Sequence, residues 1–164
     1  MRKLRAAAVQ LRSGIDLAAN RAAAMPLLRE ASAAGARLVC TPECTMVLDR
    51  DKARMLETVS SAQVESEVKA WGAAASELGV WLLLGSGSIP AASGKVYNRS
   101  FLFSPDGKVA AQYDKINLFD VTLSGTEQYR ASDTFEGGGK AVFVVDPATT
   151  DAQVMALGQI LSGQ

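Results

Sequence analysis

The sequence predicts an α/β fold, and three observations predict it. Segments of strand character alternate with helical ones, so the opening residues read as a β-α-β unit. Val80-Trp-Leu-Leu-Leu84 is a continuous apolar run, the mark of a strand buried on both faces as in parallel sheets. Glu43 is the first side chain after a strand that stops at Pro42, the kind of sheet rim where open α/β folds keep their chemistry.

Each element follows in chain order. Leu4 to Gln10 reads as a buried strand. Asp16 then caps a long Ala-rich helix in which Leu17, Ala24, Leu28 and Ala31 fall near one face, and Gly35 ends it. Pro26 inside that pattern predicts a kink or a later start. Leu38 to Thr41 is the second strand. Residues 47 to 60 are charged and aperiodic, as in a surface loop beside a site. Val64, Val68, Trp71, Ala75 and Leu78 recur at alternating steps of four and three, one face of a helix laid on a sheet, and Gly79 stops it.

After Val80 to Leu84, the run Gly85-Ser-Gly-Ser88 lacks the P-loop lysine and the GxGxxG spacing, so it reads as a tight turn rather than a phosphate cradle. Val96 to Phe103 and Lys108 to Tyr113 flank Ser104-Pro-Asp-Gly107, a turn signature that makes them a hairpin. Residues 114 to 139 have loop composition and end in Gly137-Gly-Gly139; a loop of that length is usually functional. Ala141 to Val145 reads as a last strand, and Ala148 to Gln164 as a short helix. The pattern changes after Pro147, so residues 1–146 are expected to form one domain and 147–164 a divergent tail. No internal repeat is present.

Composition narrows the function. A chain of 164 residues, 48% hydrophobic and 21% charged, is that of one globular domain with a substantial core. Seventeen basic residues balance seventeen acidic ones, leaving no overall field to recruit nucleic acid or an anionic membrane. No apolar run is long enough to span a bilayer. The basic-then-apolar start, Met1 to Gln10, is too short in its apolar part for a signal peptide, which leaves the cytoplasm as the expected address. The absence of histidine removes Ser-His-Asp and Cys-His catalysis and most zinc sites. Two cysteines, Cys40 and Cys44, form no CxxC pair, and Cys40 reads as a buried strand residue.

Lys115, in Tyr113-Asp-Lys-Ile-Asn-Leu-Phe-Asp120, is the expected partner of Glu43. Most such pairs are solvated salt bridges with no further role. Here the motif context argues otherwise. Ala8-Val-Gln10, Thr41-Pro-Glu43, Tyr97-Asn-Arg-Ser100, Tyr113-Asp-Lys115 and Leu118-Phe-Asp120, in that order and separation, resemble the nitrilase superfamily, the carbon–nitrogen hydrolases. The resemblance covers residues 4 to 146 and looks most like the small amidase, omega-amidase-like branch. It implies an α-β-β-α sandwich, of which this chain supplies about the first half, an incomplete fold judged by motif order. It also implies hydrolysis of short aliphatic amides, a small amide or nitrile-like substrate, a tendency to form homo-oligomers, and no metal or organic cofactor.

In that family a Glu, a Lys and a Cys act together. Glu43 matches the general base, which takes the thiol proton and later activates water. Lys115 matches the cation that stabilises the anionic tetrahedral intermediate. The cysteine forms a thioester, splitting amide hydrolysis into two easier steps. The chain departs from the pattern in three places. The family's Gly-then-Cys-Tyr-Asp motif has no counterpart, since residues 147 to 164 hold no Cys and no aromatic residue. A further family glutamate lines up with Ala131, with Glu127 and Glu136 nearby but out of position, and Asn117 stands where the amidase branch commonly has a His. Cys44 adjoins Glu43, but neighbours leaving a strand point to different sides, so one substrate can hardly meet both.

Three readings follow. The first is the front part of an amidase, cut short by a frameshift or early stop and inactive alone. The second is a non-catalytic pseudoenzyme that binds a partner or dimerises through an unfinished sheet edge. The third, a small nucleotide-binding protein, rests only on strand–helix alternation and Gly85 to Ser88.

Overall fold

In the computed structural model, which describes residues 4–59, 61–124 and 127–140, the chain forms a mixed sheet with its helices on one face. Strand β1 (Ala6–Ala8) leads into α1 (Leu17–Ala33), then β2 (Leu38–Cys40), α2 (Lys52–Thr58), α3 (Ser61–Leu78) and β3 (Trp81–Pro90). The antiparallel strands β4 (Val96–Phe103) and β5 (Val109–Asp114) follow, then the small hairpin β6 (Asp120–Ser124) and β7 (Glu127–Arg130). A short 3-10 turn, Ala131–Asp133, leads to β8 (Phe135–Glu136). Among the described residues the main sheet has six strands, in the order β1-β2-β3-β4-β5 with β8 added alongside β4. β1, β2 and β3 are parallel. Two right-handed crossovers stepping in the same direction put α1 and α3 on the same face of the sheet. No helix among the described residues is long and apolar enough to cross a membrane.

The α1 and α3 stripes are core. Ala24, Leu28, Trp71 and Ala75 are fully buried, in one cluster with Val39, Leu82, Leu84 and Phe103. Asp16 caps α1, its carboxylate accepting the Ala19 N–H at 2.7 Å, and Gly35 closes the helix with φ 84°. The expected kink at Pro26 does not divide the helix. Pro26 and Ala22, whose carbonyl loses its partner there, both lie on the exposed side, where water can take the freed acceptor. The Val64 to Leu78 stripe is therefore not free to serve as a partner surface.

Three expected segments differ. Residues 47 to 60 are not all loop: Asp51 caps α2 by accepting the Arg54 N–H at 3.0 Å, and Met55 and Val59 sink into the core. The segment 114 to 139 is not one long loop either, since β6, β7 and β8 lie within it. Asp120 organises it by accepting from both the backbone N–H and the hydroxyl of Ser132, at 2.9 and 2.6 Å. The first strand is shorter than Leu4 to Gln10 and, with Leu4, Ala6 and Ala8 exposed, is not buried as expected; the second ends at Cys40 rather than Thr41. The hairpin on Ser104 to Gly107 is as expected, with Gly107 at φ 82°. The strand expected at 141–145 and the helix expected at 148–164 lie outside the described residues.

The most instructive correction concerns Gly85-Ser-Gly-Ser88, which is strand and not tight turn. All four residues belong to β3, with a bulge between Leu84 and Gly87 in its pairing with β4. The glycines are there because the chain after β2 crosses directly over them. A Cβ on Gly85 would lie 2.2 Å from the Pro42 carbonyl oxygen and 2.3 Å from that of Thr41; on Gly87 it would meet the Met46 sulfur at 2.2 Å. Backbone cannot yield as a flexible side chain can. Gly85→Ala is therefore expected to destabilise the fold by about 1–3 kcal/mol, the usual range for overpacking. Denaturant unfolding measures the loss, and amide spectra should show the 41–46 turn displaced rather than α1 or α3.

Candidate functional site

Glu43, Asn98 and Lys115 come from three separate stretches and meet at one end of the sheet. Glu43 is in the turn that follows the carboxyl end of β2, Asn98 is on β4, and Lys115 follows the last residue of β5. The turn is pinned on β3 by a ladder of hydrogen bonds. The Thr41 N–H donates to the Leu83 carbonyl at 3.0 Å, the Gly85 N–H to Thr41 Oγ1 at 3.0 Å, the Cys44 N–H to Ser86 Oγ at 2.8 Å and the Met46 N–H to the Ser86 carbonyl at 3.2 Å. Cys44 takes a left-handed conformation, φ 56°, which reverses the chain just after Glu43. From the helix side, the Asn20 amide donates to the Met46 carbonyl at 2.9 Å, tying α1 to the same turn.

The Lys115 ammonium lies 2.8 Å from Glu43 Oε1, and the Asn98 side-chain amide donates to that same oxygen at 2.7 Å. Asn98 also accepts the Lys115 backbone N–H through its carbonyl, at 2.9 Å. Beside them Arg99 grips Asp114 with two parallel hydrogen bonds of 2.6 and 2.8 Å, locking the pairing of β4 with β5. The Lys115 hydrogen bond holds the Glu43 carboxyl below its ordinary range, partly opposed by burial and reinforced by the Lys115 charge and the Asn98 amide. The carboxylate is thus ionised at neutral pH and still 57% exposed.

Neither cysteine is poised as a thiolate. Burial pushes the Cys40 thiol up, and burial with the neighbouring Glu43 charge does the same to Cys44. Cys40 is half-buried rather than buried. Ala131, where the resemblance expects a glutamate, is buried and donates its N–H to the Phe119 carbonyl at 3.1 Å. It lines a cavity of about 590 Å³ with Leu48, Arg50, Met55, Arg130 and Phe135, none of them part of the Glu43 cluster. Glu136 does not replace the lost acid: it pairs opposite Tyr97, accepting the Tyr97 hydroxyl at 2.7 Å and that of Ser93. Asn117 is exposed. In the sequence Asn98 is legible only as part of the Tyr97 to Ser100 motif; its contacts with Glu43 and Lys115 emerge once β4 is paired with β5.

A family model described as carbon-nitrogen hydrolase matches residues 5–159. The omega-amidase NIT2 of Danio rerio is 34% identical over 144 residues, covering 84% of this chain and 49% of that protein. The omega-amidase NIT2 of Homo sapiens is 34% identical over 143 residues, with the same coverage. The chain thus spans about half the length of the curated relatives it matches. Among solved structures, the C. elegans NitFhit protein superposes with a TM-score of 0.75 at 23% identity, covering 82% of this chain and 33% of that one. The NitN amidase from Nesterenkonia sp. AN1 gives 0.71 at 22% identity, covering 84% and 51%; other structures of that amidase hold butyramide, or acrylamide added at its active site cysteine.

The ion pair makes a testable contribution to stability. A carboxyl depressed in the fold contributes stability above its unfolded pKa and loses it as pH falls through the folded value. At this exposure the contribution of Lys115 is about 0.5–1 kcal/mol. Lys115→Met is expected to unfold at lower denaturant than the wild type at neutral pH. The gap should close as pH falls through the depressed Glu43 carboxyl, below the ordinary glutamate range, and paired denaturation curves across pH measure it.

Proposed function

The chain belongs to the carbon–nitrogen hydrolase family, and on that premise we propose that it carries the base and the cation of an amidase centre for small aliphatic amides. The observation that carries the reading is the convergence of Asn98 and Lys115 on one oxygen of Glu43, across 55 and 72 residues of chain. Glu43 serves as general base and Lys115 as the fixed charge facing the tetrahedral intermediate. In the reaction a cysteine thiol gives its proton to Glu43 as sulfur attacks the amide carbon. The C–N bond then breaks, and ammonia leaves with the proton that Glu43 returns. Water attacks the resulting thioester while Glu43 takes its proton, and the thiol re-forms as the carboxylic acid departs.

We infer that neither Cys40 nor Cys44 is the nucleophile: burial pushes both thiols up, and Cys44 directly follows Glu43 in the chain, so one substrate can hardly meet both. We infer that residues 1–146 supply the acid–base and charge-bearing part of the centre, and that these 164 residues alone do not turn over an amide. Two curated relatives support the substrate class, since both are omega-amidases. The non-catalytic alternative, a partner-binding chain without turnover, draws on Ala131 standing where the family has an acid.

A chimera separates the two. Residues 1–146 are joined to the cysteine-bearing remainder of a related amidase, and ammonia release from butyramide is followed. Hydrolysis is expected from the chimera and not from the 164-residue chain. Glu43→Gln and Lys115→Met should each lower kcat by roughly 10²–10⁴-fold. A folded chimera that hydrolyses butyramide equally well with Glu43→Gln would end the amidase reading. A folded but inactive one would favour the non-catalytic alternative.

A further inference from the structure

The two oxygens of Glu43 have unequal surroundings. Oε1 receives both the Asn98 amide and the Lys115 ammonium, at 2.7 and 2.8 Å. Oε2 takes part in no hydrogen bond among the described residues, and the side chain remains more than half exposed. Two donors, one of them charged, occupy the acceptor capacity of Oε1 and draw electron density toward it. A proton arriving at this carboxylate therefore goes to the other oxygen.

Asn98 is placed to enforce that arrangement from the protein side. It is 9% exposed, on a strand paired on both sides: with β3 through Ser88, and with β5 through the clamp of Arg99 on Asp114. Its side chain fixes the carboxylate of Glu43, and its carbonyl fixes the backbone of Lys115. An amide suits this post because it cannot titrate. Its hydrogen bond persists at any working pH and adds no second full charge, which would hold Glu43 too firmly ionised to accept protons.

We propose that Asn98 is the positioning residue of the centre, anchoring Glu43 by Oε1 so that Oε2 alone exchanges protons with the reacting groups. The proposal deepens the amidase reading and rests on it for the identity of those groups. The geometry it claims is read without turnover, so failure of hydrolysis and failure of the positioning role remain distinguishable.

The test uses the full chain with ¹³C-labelled glutamate carboxyls, followed by NMR across pH. Asn98→Leu removes the amide donor at similar volume and leaves the backbone carbonyl. Glu43 is expected to bind its proton about three- to tenfold more tightly, from loss of one typical net hydrogen bond to a carboxylate that stays more than half exposed. The Lys115 amide should keep its protection from exchange. If Asn98→Leu does not fold, Asn98→Ser, too short to reach Glu43, gives the same readout. An unchanged Glu43 titration in a folded variant would overturn the proposal, as would loss of Lys115 amide protection together with a general shift of the other carboxyls, the signature of a merely structural role.

A second arm reads the oxygen assignment. In Glu43→Gln the side-chain carbonyl should take the Oε1 place between its two donors and turn its NH₂ outward. Those NH₂ protons are then expected to exchange at the rate of an exposed amide. Protected NH₂ protons, or a carbonyl turned to solvent, would contradict the assignment.

Discussion

The structure depends on one close crossing. After β2 the chain turns at Pro42 and lies directly on the backbone of β3, so near that Gly85 has no room for a Cβ, while one on Gly87 would meet the Met46 side chain. This contact converts a strand end into a site. It sets Glu43 at the end of the sheet within reach of β4, and the fully buried Ser86 holds the turn there with its hydroxyl and its carbonyl. The strain of the sharp reversal is confined to Cys44, whose φ of 56° is the one positive value outside glycine among the described residues.

Around that crossing the polar groups form a graded set. The Arg99 grip on Asp114 is the outer fastening, with bidentate geometry and partial burial on both sides. It sets the register that brings the Asn98 carbonyl opposite the Lys115 N–H. The inner pair, Glu43 with Lys115, is wetter and so contributes little to stability. On the proposed amidase reading, a firmly held outer pair beside an exposed inner pair leaves the inner charges free to respond to a substrate, with the site carried on rigid elements.

Much of this was legible in the sequence because it rests on local rules. Asp16 and Gly35 bracket α1 by capping chemistry, the Val64 to Leu78 stripe marks the buried face of α3, and Ser104 to Gly107 announces the hairpin. Glu43 and Lys115 were found through motif order, and the structure puts them in contact. What failed was what depends on tertiary approach. Gly85-Ser-Gly-Ser88 looks like a turn because nothing local reveals the chain crossing above it. Residues 47 to 60 look aperiodic because α2 is short and buries chiefly Met55. The 114 to 139 segment hides β6 and β7, whose pairing answers to Asp120 and Ser132 rather than to alternation. Asn98 was visible as a motif letter, but its double role requires knowing which residues lie across the ladder.

The central claim is that Glu43 is held as an ionised, singly anchored carboxylate by groups brought together from β4 and β5. The direct test is the titration of Glu43 in the unaltered chain, by the ¹³C shift of its side-chain carboxyl. The account predicts a midpoint clearly below that of an ordinary glutamate, since the Lys115 and Asn98 hydrogen bonds outweigh burial. A midpoint at or above the ordinary value would mean that the donors do not engage the carboxylate in solution, and the site as described here would not exist.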